Sequence, residues 1–201
     1  MRYQIHSHRF ATLVVQTELY KDDFDELIET VSNISDEDLI KQFTQDKDKR
    51  SSAKSLSKAI NFLLQDRLKS LNWNTESPIF KEEEYTKNNK SYWRLDFVKN
   101  KISVEVAFNH QEAVAHNLIK PVLASELNHV EKAIQTNLGV IITATDALKK
   151  SGNFDTAIGT FEKFVSFLRP YNNFITVPLI IIGLEPPESF KIENKEIHHN
   201  I

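Results

Sequence analysis

An acidic residue in the middle of an apolar strand constrains this chain more than any other feature. The stretch Ser91 to Asn109, SYWRLDFVKNKISVEVAFN, reads as a β-hairpin turning at Lys99-Asn100-Lys101. On its second strand, Ile102 to Phe108, side chains alternate with period two: Val104, Val106 and Phe108 point one way, and Ser103, Glu105 and Ala107 the other. A carboxylate among such neighbours is costly to bury unless it is paired or binds a metal. Asp96, nine positions earlier on the first strand, faces the same place. Two carboxylates converging from paired strands suit a hard divalent cation, which takes oxygen ligands and completes its shell with water. That is the metal end of a phosphodiesterase site. The same spacing also arises by chance in hairpins, so the pair alone leaves a purely structural role open.

Bulk properties narrow the field. A chain of 201 residues, 40% hydrophobic, suits a single domain with a real core. It has no apolar run approaching about eighteen residues, so no membrane span is expected. The opening MRYQIHSHRF lacks the apolar centre of a signal peptide. Cysteine is absent, which removes disulfides and thiolate sites and fits a cytosolic protein. With a net charge of −3, contact with nucleic acid would have to use local positive charge. The densest such patch is Lys47, Lys49, Arg50, Lys54 and Lys58, either a solvated face or a phosphate contact.

Periodicity gives the element order. Two short strands are expected within Met1 to Gln16. Helices follow at Glu18 to Val31 and from Ser35, then a polar loop from Gln45 to Ser52. A helix over Ala53 to Leu71 carries Asn61 and Gln65 on its polar border, and Thr75 to Phe80 is extended. Beyond the hairpin, His110 to Ile134 reads as helical with a break or kink near Lys120, imposed by Pro121. It is apolar on more than one side, which suits a large core or a dimer surface. Strands at Leu138 to Ala144 and Val177 to Leu184 bracket a loop from Asp146 to Asp155 and a helix from Thr156 to Leu168. The expected architecture is α/β, a mixed central sheet flanked by helices on both faces. It forms one domain over residues 1–201, with a helical half 1–75 packed on a core 76–184 and a tail 185–201 that has little to pack with. The pairs His6 and His8, Glu126 and His129, and His198 and His199 read as ordinary polar residues.

The ordered set Asn61-x11-Trp73, Asp96-x8-Glu105-Val106 and VPLIIIGL, with the opening MRY…SH, resembles the BglII/BstYI family of type II restriction endonucleases within the PD-(D/E)xK nuclease superfamily. The resemblance covers most of the chain. It implies a PD-(D/E)xK restriction-endonuclease-like fold and a Mg²⁺-dependent homodimer that cuts both strands of double-stranded DNA at a short palindrome, often built on GATC. It also implies a prokaryotic cytoplasm and a cognate DNA methyltransferase in the same system, not bound to the nuclease. Asp96 and Glu105 match the family's metal-binding acids, and a strand carbonyl such as that of Val106 is a further ligand. Glu76 falls where relatives place another polar or acidic site residue. Relatives read bases just past the catalytic strand, here Asn109 and His110, and from the loop after the next strand, here around Ser151, Asn153 and Asp155. Lys49, Arg50 and Lys54 are the expected phosphate contacts.

One departure matters. Two positions after the glutamate, the wider fold carries Lys and close relatives Gln or Glu, whereas this chain has Ala107. Either a neighbour substitutes (Asn109, Lys120 or Lys101), or metal-bound water suffices, or cleavage is weak or lost. The rival readings are therefore a catalytically silent, sequence-specific DNA-binding protein of the same fold, a repair nuclease of the superfamily, and a structural or assembly protein without a nucleic-acid role.

Overall fold

Two uninterrupted apolar runs set the centre of the molecule. Every residue of Leu138–Ala144 and of Leu179–Leu184 is buried, as strands covered on both faces must be. The computed structural model describes residues 1–49, 54–86, 93–126 and 129–200, with the side chain of Lys49 outside that description. In chain order its elements begin β1 (Tyr3–His8), α1 (Ala11–Val14), α2 (Lys21–Ser32), α3 (Asp36–Lys49), α4 (Ser57–Ser70), β2 (Asn74–Pro78) and α5 (Glu83–Thr86). They continue β3 (Arg94–Lys99), β4 (Ile102–Val106), α6 (Val114–Ser125), β5 (Leu138–Ala144), α7 (Asp146–Ser151), α8 (Phe161–Leu168), β6 (Leu179–Leu184), β7 (Phe190–Glu193) and β8 (Glu196–His199).

The main sheet runs β1-β6-β5-β4-β3-β2. β4, β5 and β6 are parallel, and β1, β2 and β3 join antiparallel. This is the mixed sheet between helical layers that the element order predicts. On one face Leu27, Val31, Leu39, Phe43, Leu64 and Leu68 of α2, α3 and α4 share a core with Val104, Val140, Ile142 and Ile182. On the other, Val114, Leu118, Phe161 and Phe164 of α6 and α8 share one with Ala107, Ile141, Leu179 and Ile181. Among the described residues no helix is long and apolar enough to cross a membrane.

Of the two outcomes expected near Lys120, the break does not occur: α6 runs through Pro121. A proline inside a helix gives up a backbone hydrogen bond. Here the ring lands on β5, where a Cβ at Gly139 would lie 2.6 Å from Pro121 Cβ and 2.7 Å from Leu179 Cδ1. Glycine leaves room for the ring, and the close contact seats α6 on the sheet. Gly183 makes the same room for Phe161 of α8.

Other elements depart from the sequence reading for identifiable reasons. Ala11–Val14 is helical rather than a second strand, entered through left-handed backbone at Arg9 and Phe10. α3 extends through much of the expected polar loop. It is started by reciprocal bonds between Ser35 and Asp38 and braced by Gln42 donating to Asp46, 3.0 Å away. α6 stops at Ser125, not Ile134, because the chain beyond it is needed at the sheet edge. There Lys81 N–H donates to the Glu131 carbonyl and Ala133 N–H to that of Ile79, both at 2.9 Å. The expected loop after β5 begins with α7, capped by Thr145 Oγ1 accepting from Leu148 N–H. α8 starts only at Phe161. The tail does pack. β7 and β8 form a hairpin across left-handed Asn194 and Lys195, and Phe190 and Ile192 join the main core.

The seating of α6 is testable. Gly139→Ala overpacks the Pro121 contact and is expected to lower unfolding free energy by about 1–3 kcal/mol, read from urea denaturation. An unchanged midpoint would show that the glycine does not set the helix position.

Candidate active site

Strand register builds the site. The pairing of Phe97 with Val104 in β3–β4 carries Asp96 opposite Glu105. In β2–β3, Thr75 pairs with Phe97 and Ser77 with Leu95, so Glu76 stands opposite Asp96. Glu76, Asp96 and Glu105 thus occupy one row across three neighbouring strands. The row continues through Ile141 and Ile181. Glu76 has φ 51, a conformation that non-glycine residues adopt seldom and at some cost in strain.

The middle of the row is nearly dry. Glu105 is 3% exposed. Lys120 of α6, itself buried, donates from Nζ to Glu105 Oε2 at 2.7 Å. Glu105 Oε1 is buried and has no hydrogen-bond partner among the described residues. Asp96 Oδ2 accepts the Val106 N–H at 2.7 Å. Burial pushes the Glu105 carboxyl up to about 8, the Asp96 charge adds to this, and Lys120 and the nearby Asp96 N–H oppose it without prevailing. Burial also raises Asp96, against the pull of the Val106 N–H and Lys120 and with the push of Glu76. A cleft of about 250 Å³ opens beside the row, lined by Asn61, Gln65, Glu76, Asp96, Phe97 and Val106. A larger depression, about 670 Å³, lies beside Tyr3 of β1 at the other edge of the sheet and holds none of the row's acids.

These groups fit a hard divalent cation. The donors are all oxygen, two carboxylates converge, and the Glu105 oxygen without a partner is the kind of buried polar atom that needs one. Among the described residues no group of three His, Cys, Asp or Glu gathers at metal-binding distance, so Glu76 stands in the row without closing on it.

The expected DNA contacts converge on a rim past the carboxyl ends of β4 and β5. His110 bridges Ile158, Gly159 N–H donates to the Asn109 carbonyl at 3.1 Å, and Gln111 N–H to that of Ala157 at 2.7 Å. Leu56 N–H reaches the Gly152 carbonyl, and Asn153 Nδ2 reaches that of Lys54. Asn109 and His110 are exposed. Three of the predicted readers hold loop shape instead: the Asn153 amide is bonded as above, Asp155 Oδ1 accepts the Ala157 N–H, and Ser151 Oγ turns back to the Leu148 carbonyl. Lys54 is exposed on the same rim, whereas Arg50 and the side chain of Lys49 lie outside the described residues.

The sequence model of the restriction endonuclease BglII/BglIII family matches residues 3–184. The chain belongs to this family. No curated protein matches it in a direct sequence comparison. Solved structures similar to it include restriction endonuclease BglII complexed with a DNA 16-mer. The likeness has a TM-score of 0.67 at 20% identity and covers 95% of this chain and 80% of that one. Free BglII aligns with a TM-score of 0.54 at 16% identity, over 92% and 79% of the two chains. These likenesses establish that the fold is that of BglII.

For a member of this restriction endonuclease family, Ala107 is the departure to explain. Its methyl is buried with Val114 and Leu118. Of the three neighbours expected to stand in for it, Asn109 is bonded to Asn117 at 3.0 Å, and Lys101 points to the Gln135 carbonyl at 3.5 Å. Lys120 touches Glu105. Two further groups went unassigned from sequence. Asn61 and Gln65 line the cleft, and their i, i+4 spacing on the border of α4 was the available signal. Thr143 Oγ1 donates within 2.9 Å of the Ala107 carbonyl and 3.1 Å of that of Gly159, tying the two loops together, and a threonine inside a strand carries no such signal.

The raised Glu105 fixes the sign of a pH effect. The folded chain binds a proton on Glu105 that the unfolded chain releases near pH 4.5. The resulting stability is fully present below about 4.5 and is lost as pH rises to about 8. Without divalent cation, wild type is expected to lose on the order of a few kcal/mol across this window relative to Glu105→Gln. Urea denaturation at pH 5, 6.5 and 8 reads the slope, and parallel curves for the two proteins would contradict it.

Proposed function

We propose that this chain is a Mg²⁺-dependent, homodimeric type II restriction endonuclease making double-strand cuts at a short palindromic DNA site. The observation that carries this reading is the row Glu76, Asp96, Glu105, with a buried Glu105 oxygen left without a partner. Asp96, Glu105 and the Val106 carbonyl would hold the cation. Bound there, Mg²⁺ lowers the pKa of a water and neutralises charge on the phosphate.

The protein's own groups set up the reaction. The Val106 N–H fixes the Asp96 carboxylate, and the packed α6 face keeps water away from Glu105. Glu76, exposed at the cleft, takes the proton of the attacking water at its carboxylate. In-line attack then leaves a 3′-hydroxyl and a 5′-phosphate. Asn109 and His110 face base edges, and Lys54 contacts phosphate. That a DNA complex of BglII shares this fold supports a double-stranded substrate. A two-fold dimer matches a palindrome. The apolar stripe of α6 packs within the subunit, on Gly139 and α8, and the helix's partly buried Ile119, Val122 and Leu123 remain as the surface proposed for the dimer. In a prokaryotic cytoplasm a separate DNA methyltransferase would protect the host's own sites.

A second reading, a silent DNA-binding protein, rests on Ala107. Digestion of a large unmethylated DNA in Mg²⁺ separates the two. The expected result is discrete bands from wild type and none from Glu105→Ala, which should lose cleavage by orders of magnitude while still binding. Salt-sensitive binding without cutting selects the second reading, and equal cutting by Glu105→Ala overturns the site.

A further inference from the structure

We propose that Lys120 is a catalytic residue, supplying from α6 the cationic donor to the reacting phosphate that β4 omits at Ala107. This rests on the nuclease reading above.

The placement is built, not incidental. Glu105 and Ala107 project from the sheet face that α6 covers. Lys120 immediately precedes Pro121, whose ring is locked against Gly139, so its position over the row is set by that close helix–sheet contact. Its side chain is 9% exposed and that of Glu105 is 4% exposed. Burying a carboxyl and an ammonium together is expensive, and an apolar pair of similar size often serves stability as well or better. Nor does the pair complete a structural network, because Glu105 Oε1 remains without a partner among the described residues. The cost is better explained by what the ammonium does when substrate arrives.

An ammonium has three donors on a flexible stem. One is engaged by Glu105. The other two would serve a non-bridging phosphate oxygen and the attacking water, where charge grows in the transition state. The water oxygen forms the new bond to phosphorus as the bond to the 3′-oxygen breaks. The water's proton passes to Glu76, the 3′-oxygen takes one from solvent, and Lys120 keeps its own. Asn109 and Lys101 make other bonds, to Asn117 and to the Gln135 carbonyl.

The test uses the full-length chain. Lys120→Met keeps the length and removes the charge. It is expected to cut about 10²–10³-fold more slowly in single turnover, to bind the same DNA unchanged without divalent cation, and to bind Mn²⁺, read by paramagnetic resonance, at least as tightly. A merely structural lysine would instead weaken Mn²⁺ binding and thermal stability in step with cleavage, and that result overturns the proposal. The chain has no cysteine, so Lys120→Cys can be aminoethylated in denaturant at that position alone and refolded. Recovery of cleavage by the aminoethylated form, but not by an S-ethyl control with the same melting temperature and DNA affinity, supports the role even where Lys120→Met does not fold. Failure of a folded aminoethylated form to recover overturns it. Wild type runs alongside: if it does not cut, the nuclease reading fails, whereas if it cuts and Lys120→Met keeps pace, only this inference fails.

Discussion

The structure depends on one expensive contact, a glutamate and a lysine 2.7 Å apart with almost no water around either. Each would be unstable there alone. Their surroundings are arranged to make the contact possible. β3 brings Asp96 beside Glu105, β5 offers a glycine on which α6 can rest, and Pro121 fixes the height of that helix so that Lys120 reaches the strand. The electrostatics remain unsatisfied: burial and Asp96 outweigh Lys120 and hold the Glu105 carboxyl near 8. A cation between two carboxylates relieves that imbalance, which is why the row reads as a site rather than as a core ion pair.

Much of this was legible in the chain. Period-two alternation put Glu105 and Ala107 on one face and Asp96 opposite, and the hairpin formed as expected at Arg94–Lys99 and Ile102–Val106. The two apolar runs became the central strands. The misses share a cause: the deciding contact lay far away in sequence. Pro121 does not break its helix because its ring is received by Gly139. α6 ends early because Glu131 and Ala133 bond to Lys81 and Ile79 at the sheet edge. The last residues pack because an Asn194-Lys195 turn folds Phe190 back into the core. Local pattern carries none of these.

The same division runs through the site. That Asp96 and Glu105 share one face could be read from the strands, but which neighbour approaches them could not. That needed the helix position, which sends Asn109 to Asn117 and Lys120 to Glu105. The rim loops were recognisable as turns, yet the bond of Asn153 to Lys54, nearly a hundred positions away, shows its amide bracing the loop. A net charge of −3 does not conflict with the proposed DNA substrate, because on that reading contact is made by a local rim and not by the average surface.

The central claim is that Asp96 and Glu105 together hold a divalent cation. Anomalous scattering from crystals soaked in Mn²⁺ tests it most directly. The account predicts a peak within coordination distance of both carboxylates, engaging the Glu105 oxygen that now has no partner, and no such peak in Glu105→Gln. A map with no density between β3 and β4, or with the ion bound only elsewhere, would contradict it.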